Sequence, residues 1–469
     1  MNITGIFFIF IFLPITLISY YLVPIKTKNS ILLLISLIFY SWGNPNYLIV
    51  LVLSVLFNYF IALEMQQYLS ENNNRKLKSV LIFGLLFNVL VLGLFKYYGF
   101  FLDNINKLFR IDLSVQELPL PLGISFFTFS VISYLIDIYR KKSPAQRNLI
   151  SFALYVSFFP KVISGPIMQY TDFSKQLSVH RFDYEFVGHG LKLYIQGLAK
   201  KILLADSFSI LYQDLNTLPA SEKSILSSWL ALFAFTLQIF FDFSGYSEMA
   251  IGLAKMLGFN LPQNFNYPYV SRSATEFWRR WHMTLGSWFR EYVYIPLGGN
   301  RVGILKHIRN IMLVWLLTGI WHGAAWNYIF WGLYYGLILL LEKYFYGNLL
   351  KRNVIISRVY TIIIVMLGWL IFASSSISAI TISLQSMFGI GGVIFANKTT
   401  FYYLQSYALQ IILGCLGVTP LFNKLQQNIL QKRNRRTIIF SVLIYLALFV
   451  FSLAYLVNST YQSFLYVAF

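Results

Sequence analysis

Asn46 to Met65 reads NYLIVLVLSVLFNYFIALEM, twenty residues with one charge, Glu64, near the end. A helix rises 1.5 Å per residue, so this run is about 30 Å long, the thickness of a bilayer's hydrocarbon core. Comparable apolar runs cover 5–24, 30–43, 79–102 and 119–139, and one near the end covers 437–457. Apolar residues make up 57% of the 469 and charged residues 12%, and mean hydropathy is +0.63. A soluble chain carries about twice that charged fraction. These features predict an all-α polytopic membrane protein seated in a lipid bilayer. Residues 5–24 lack a basic start and a small-residue cleavage site, so they read as an uncleaved first helix.

The net charge of +20 does not point to nucleic acid, because the basic residues sit in short clusters between apolar runs. Lys26 and Lys28 mark one loop, Arg75, Lys76 and Lys78 a second, and Arg140, Lys141, Lys142 and Arg147 a third. The links between them are neutral or mixed. This alternation places the basic loops in the cytoplasm and the N-terminus outside. Lys432, Arg433, Arg435 and Arg436 precede the last run, which puts the C-terminus outside as well. Such a chain is expected in the cytoplasmic (inner) membrane. A lone cysteine, Cys415, rules out an intrachain disulfide and reads as packing.

Two stretches depart from simple spans. Pro119, Pro121 and Gly123 open one apolar segment; Phe159-Pro160 and Ser164-Gly165-Pro166 interrupt another. Broken backbone at membrane depth survives only when packed in protein or lining a wet cavity. Residues 119–170 are therefore expected to line a chamber, with an ordinary kinked helix as the alternative. Residues 259–307 contain no good span. On a helical wheel Phe277, Trp278, Trp281, Leu285, Trp288 and Phe289 share one face, opposite Arg279, Gly286 and Arg290, with His282 at the margin. That predicts an interfacial amphipathic helix. Ser271 or Ser273 would cap it, with Glu276 in its first turn, and Gly298-Gly299 would make a tight turn.

Only five histidines occur. His322 lies in an apolar run, where a desolvated imidazole stays neutral and can take a proton from a hydroxyl. His307, between Lys306 and Arg309, reads as a basic interfacial residue, and His180 and His189 as incidental. No HExxH or comparable spacing supports a metal site. Asp242 and Glu248 fall within or beside the apolar run 227–257, where an unpaired charge is expensive. They are expected to pair with arginines such as Arg279 or Arg280, direct chemistry being the alternative. Gln238, one turn before Asp242, extends that stripe.

Five blocks then carry a resemblance: Phe241-Asp242-Phe243-Ser244-Gly245-Tyr246-Ser247, Asn264-Phe265-Asn266-Tyr267-Pro268, Phe277-Trp278-Arg279-Arg280-Trp281-His282, Tyr294-Ile295-Pro296-Leu297-Gly298-Gly299-Asn300-Arg301, and Gly319-Ile320-Trp321-His322-Gly323-Ala324. In this order they resemble the membrane-bound O-acyltransferase (MBOAT) family, in its bacterial branch of alginate O-acetyltransferase-like proteins. The match is dense from about 119 to 340. The D-alanyl transfer proteins of teichoic acid modification share several blocks, but Ile295 to Arg301 looks more like the acetyltransferase branch.

The resemblance implies one domain over 1–469: N-terminal helices 1–118, a catalytic core 119–346 and C-terminal helices 347–469. It implies about eleven to thirteen transmembrane helices, with re-entrant and interfacial helices around a membrane-crossing chamber. His322 would be the catalytic base and His282 the second polar group, holding either the thioester carbonyl or the donor's pantetheine. Trp278, Trp281, Asn264 and Asn266 are candidate donor contacts. Arg279, Arg280, Arg290 and Arg301 either meet donor phosphates or simply mark topology. No cofactor is expected to be bound; acetyl-CoA or another acyl thioester is the co-substrate. The expected activity is O-acetylation of an extracytoplasmic polysaccharide, an exopolymer such as alginate or peptidoglycan. D-alanyl transfer from a carrier protein to teichoic acid is the enzymatic alternative. A transporter or flippase is the alternative of another class, but no internal repeat supports it. Lacking a sizeable soluble domain, such a chain would need an external partner of the SGNH serine-hydrolase type to place the acetyl group.

Overall fold

The computed structural model describes residues 1–114, 118–178, 183–425 and 434–458. His180, Lys432 and Arg433 lie outside these described residues. Among the described residues there is no strand. Met1–Tyr194 with Ser247–Gln263 form one compact unit, and the described residues of Ile195–Tyr246 with Asn264–Phe469 form a second.

The first unit begins with a π turn, Phe8–Phe12, leading into α1 (Leu13–Leu22). There follow α2 (Lys28–Ser41), α3 (Asn46–Ser70), α4 (Asn74–Phe109), α5 (Ile124–Tyr139), α6 (Leu149–Ser157), α7 (Phe159–Val162) and α8 (Tyr170–Ser174). Between α3 and α4, Asn58 and Asn88 are buried and exchange side-chain amides at 3.1 and 2.7 Å. Such reciprocal bonds hold helices together where lipid offers no hydrophobic contrast. Gly123 takes φ +70°, and a Cβ there would strike the Val162 carbonyl oxygen. Only glycine allows the chain to enter α5 in that conformation against α7. Within 119–170, Phe126, Ser130, Val156, Lys161 and Gly165 bound a crevice. It is too narrow for a water molecule: the proline and glycine breaks let these segments pack together.

The remaining helices are α9 (Tyr184–Ala199), α10 (Asp206–Asn216), α11 (Ile225–Met256), α12 (Ala274–Arg280), α13 (Met283–Phe289), α14 (Ile304–His322), α15 (Trp326–Leu341) and α16 (Gly347–Leu350). The chain then forms α17 (Val354–Ala373), α18 (Ile377–Met387), α19 (Lys398–Ser406), α20 (Ala408–Gly417) and α21 (Arg435–Asn458). Among the described residues five helices, α3, α4, α11, α17 and α21, are long and apolar enough to cross a membrane. Four shorter apolar helical stretches accompany them, Phe8–Leu22, α5, α18 and α20. The protein is therefore an all-α multi-pass membrane protein. Of the five long helices, α11 is the most enclosed, with 72% of its apolar window buried, so its charged Asp242 must be neutralised within the protein. Cys415 is exposed on α20, against the packing expected of it. An apolar run in such a chain can face lipid as readily as protein.

The α14–α15 hairpin positions His322. Its helices cross at glycines: a Cβ on Gly319 would strike the Tyr328 carbonyl, and one on Gly332 the Trp315 carbonyl. Backbones approach this closely only where side chains are absent. Gly332→Val is expected to cost about 3 kcal/mol through overpacking, read as lower thermal stability in detergent. Gly93→Ala is the control, since a Cβ there meets open space.

Candidate active site

The site begins with a helix that the sequence makes look continuous and the structure breaks. Ser273 caps α12, accepting from Glu276 N–H at 3.0 Å, and Glu276 accepts in return from Arg272 N–H at 2.9 Å. This is the reciprocal pairing of a capping box, shifted by one residue. A second carboxylate that sequence reasoning missed seals the same end. Buried Glu342 accepts from Ala274 N–H at 2.6 Å and from Thr275 N–H and Oγ1 at 2.9 and 2.6 Å. A lone acid closing the apolar run 326–341 was its only signal.

The amphipathic helix predicted across 277–290 is interrupted at Trp281 and His282. Trp281 is extended and His282 adopts the left-handed region at φ +44°. Asn264 and Asn266 cause the break. In an unbroken helix the Arg280 carbonyl would receive Thr284 N–H, but it accepts from Asn266 N–H at 2.9 Å. Thr284 N–H turns to Asn264 Oδ1 at 3.3 Å, and Met283 N–H to the Asn264 carbonyl at 2.9 Å. With these three displaced groups satisfied, the bend survives a left-handed residue costing about 1–2 kcal/mol.

The bend also orients an imidazole. Asn264 Oδ1 accepts from Thr284 Oγ1 at 2.7 Å and lies 3.2 Å from His282 Nδ1. The backbone donor identifies that atom as the amide oxygen, which only accepts, so Nδ1 carries the proton and Nε2 the lone pair. His282 is buried and lies outside the candidate spans. Burial pushes its pKa down to about 3, which keeps the ring neutral. Phe243 packs edge-on against it at 4.7 Å. Asn264→Ala is expected to cost about 1–3 kcal/mol, the range for stranding buried donors, and to lower turnover as the ring loses its fixed orientation. Detergent denaturation and steady-state kinetics check both.

His322 is the last residue of α14 and is buried. Trp321, Trp331 and Phe372 surround it at ring-centre distances of 4.9, 4.8 and 5.3 Å. His282 and His322, forty residues apart, line the same cavity of about 190 Å³. Trp278, Trp281, Leu285 and Phe289 form one wall, and Val314, Trp315 and Thr318 another. Arg290 and Tyr294, on the π turn Arg290–Tyr294, complete the lining. The result is an apolar pocket with two imidazoles and one guanidinium, an arrangement typical of small-molecule sites.

The other candidate residues are placed elsewhere. Arg279 and Arg301 are exposed, and Arg280 pairs with Glu276 at 2.8 Å. Asn266 is exposed, and Asn264 stands behind His282 as its brace. The pairing of Asp242 with Arg279 or Arg280 is corrected: buried Asp242 meets Lys201 Nζ at 2.8 Å, and Lys201 also bonds Asp206 at 2.6 Å. Lys201 sits on the π turn Lys200–Ala205, close enough to face both acids, whereas α12 holds its own carboxylate partner. Gln238 is buried one turn before Asp242. Glu248, half-buried on α11, belongs to the first unit. His307 is likewise corrected. It is buried, with Nε2 2.9 Å from Tyr294 Oη and 3.1 Å from Lys343 Nζ, and Nδ1 2.7 Å from Tyr344 Oη. The Gly298-Gly299 turn is present, at φ +97° and +57°, with Asn310 Nδ2 donating to the Leu297 and Gly299 carbonyls at 3.1 Å each.

Comparison with known proteins identifies the class. The model of the membrane-bound O-acyltransferase family matches residues 35–385, so the chain belongs to this family and is an acyltransferase. It is 38% identical over 389 residues to the probable alginate O-acetylase of Azotobacter vinelandii, covering 82% of this chain and 77% of that protein. It is 36% identical over 422 residues to the peptidoglycan O-acetyltransferase of Helicobacter pylori, covering 82% and 79%. The teichoic acid D-alanyltransferase of Bacillus subtilis is 31% identical over 236 residues, covering 48% of this chain and 59% of that protein.

Proposed function

We propose that this acyltransferase moves an acetyl group from a cytoplasmic thioester, acetyl-CoA, to the far side of the cytoplasmic membrane for O-acetylation of a polysaccharide. An exopolysaccharide such as alginate and peptidoglycan are the two acceptors that the relatives' names suggest. The observation that carries the reading is the shared cavity, with two imidazoles facing one small apolar space. In this account His322 takes the proton of the incoming hydroxyl as its oxygen attacks the thioester carbonyl. His282, neutral and oriented by Asn264, accepts through Nε2 or lies along the donor's pantetheine. Arg290, exposed at the cavity's edge, meets a donor phosphate by charge-assisted hydrogen bonding. Both termini lie outside, and an external serine-hydrolase-type partner receives the acetyl group.

The match to acetyltransferases over four-fifths of the chain favours acetyl over D-alanyl transfer, whose relative aligns with about half. Proteoliposomes carrying the purified protein test donor and direction. Labelled acetyl-CoA supplied at the cytoplasmic face, with polymer and partner at the other, should yield acetylated polymer only when both are present. Equal yield with the donor on the polymer's side would refute the transmembrane reading. Activity with only an acyl carrier protein would refute acetyl-CoA as the donor.

A further inference from the structure

The wall of the cavity holds a hydrogen-bond donor that the packing leaves unused. Trp278 lines the space shared by His282 and His322. Its indole Nε1–H is buried without a hydrogen-bond partner among the described residues. A buried N–H left unsatisfied is expensive, and such groups are uncommon enough to need a reason. The ring itself is held firmly, with Tyr335, Trp315 and Trp331 edge-on at 4.7, 4.9 and 5.4 Å. In the same aromatic cluster Trp369 does find an acceptor, Tyr269 Oη at 3.1 Å. Among the described residues Trp331 Nε1 and Tyr335 Oη are also buried without a partner, but neither residue lines the cavity. Trp278 is thus the indole of this group that combines an unspent N–H with a ring on the cavity wall.

We propose that the indole N–H of Trp278 donates to the carbonyl oxygen of the acyl thioester and stabilises the oxyanion formed as the hydroxyl adds. The inference rests on the cavity being the acyl-transfer site. In the step, the hydroxyl proton passes to His322 while the hydroxyl oxygen bonds the carbonyl carbon, and the carbonyl π pair moves to oxygen. Collapse re-forms the C=O bond and breaks the C–S bond, and the departing thiolate takes the proton from the imidazolium. Negative charge on the carbonyl oxygen is greatest between these events, so a fixed donor there favours the transition state over the bound thioester. The T-shaped wall fixes the ring before substrate arrives, and the apolar lining keeps competing water away.

The test replaces Trp278 site-specifically with benzothienylalanine, which keeps the fused ring and exchanges N–H for sulfur. Trp278→Phe is a second variant, and acetyl-CoA turnover is measured for each beside wild type and His322→Ala. A fall in kcat on the order of 10²-fold with KM unchanged, in protein that elutes and melts like wild type, is the expected result. Unchanged kcat in the benzothienyl variant would overturn the proposal and assign the N–H to ring packing. A raised KM with kcat intact would also overturn it, since that reports ground-state contact. If His322→Ala is inactive while the benzothienyl variant turns over normally, the acyl-transfer reading stands and only the indole's role falls.

Discussion

His322→Ala is expected to lower kcat by roughly 10²–10⁴-fold, the usual worth of a positioned general base, with little change in donor KM. The argument is geometric. The residue ends α14 at a hairpin whose close glycine crossings fix its height, and three aromatic rings hold the imidazole against the cavity. Alanine leaves a void among those rings, so His322→Gln serves as the companion that retains bulk and polarity without a basic nitrogen. Both variants should elute as wild type in detergent and turn over acetyl-CoA at the same depressed rate. Recovery of activity in His322→Gln would transfer the role from proton abstraction to hydrogen bonding.

Lys201→Met is expected to be the most damaging change away from the cavity, at about 3–5 kcal/mol, the range for stripping one partner from a buried ion pair. Lys201 Nζ stands 2.6 Å from Asp206 and 2.8 Å from Asp242, and all three side chains are at most 10% exposed. Its removal leaves two carboxylates confronting each other in a low-dielectric interior. Asp206→Asn, which keeps an acceptor oxygen and the Lys201–Asp242 pair, should cost far less. Thermal unfolding in detergent should therefore place Lys201→Met well below Asp206→Asn, which stays near wild type. Activity should follow the same order. Asp242 precedes Phe243, whose ring buttresses His282 at 4.7 Å, so loosening α11 there disturbs the imidazole. Equal melting temperatures for the two variants would remove the ion pair from the account.

What was legible in the sequence followed from period and composition. The run 46–65 predicts α3, and α3 covers it. Ser271 or Ser273 with Glu276 predicts a helix start, and of the two serines Ser273 makes the capping bond. The resemblance implies one site for His322 and His282, and both residues line one cavity. The failures have a common physical cause, a partner distant along the chain. A helical wheel drawn over 277–290 assumes that each carbonyl finds its donor four residues on. Asn264 and Asn266 satisfy those groups from outside the segment, and no local pattern announces that. Asp242 could not be matched to Lys201, 41 residues earlier, because a buried lysine looks in sequence like any basic flank. His307 beside Lys306 and Arg309 looked solvated, yet two tyrosines from flanking elements enclose it.

A structure determined with acetonyl-CoA, in which a methylene separates sulfur from the carbonyl so that no acyl transfer occurs, tests the central claim most directly. The account predicts its acetonyl group between His282 and His322, with the carbonyl oxygen within hydrogen-bond reach of Trp278 Nε1. An acetonyl group seated elsewhere, with the cavity left to solvent or lipid, would contradict it.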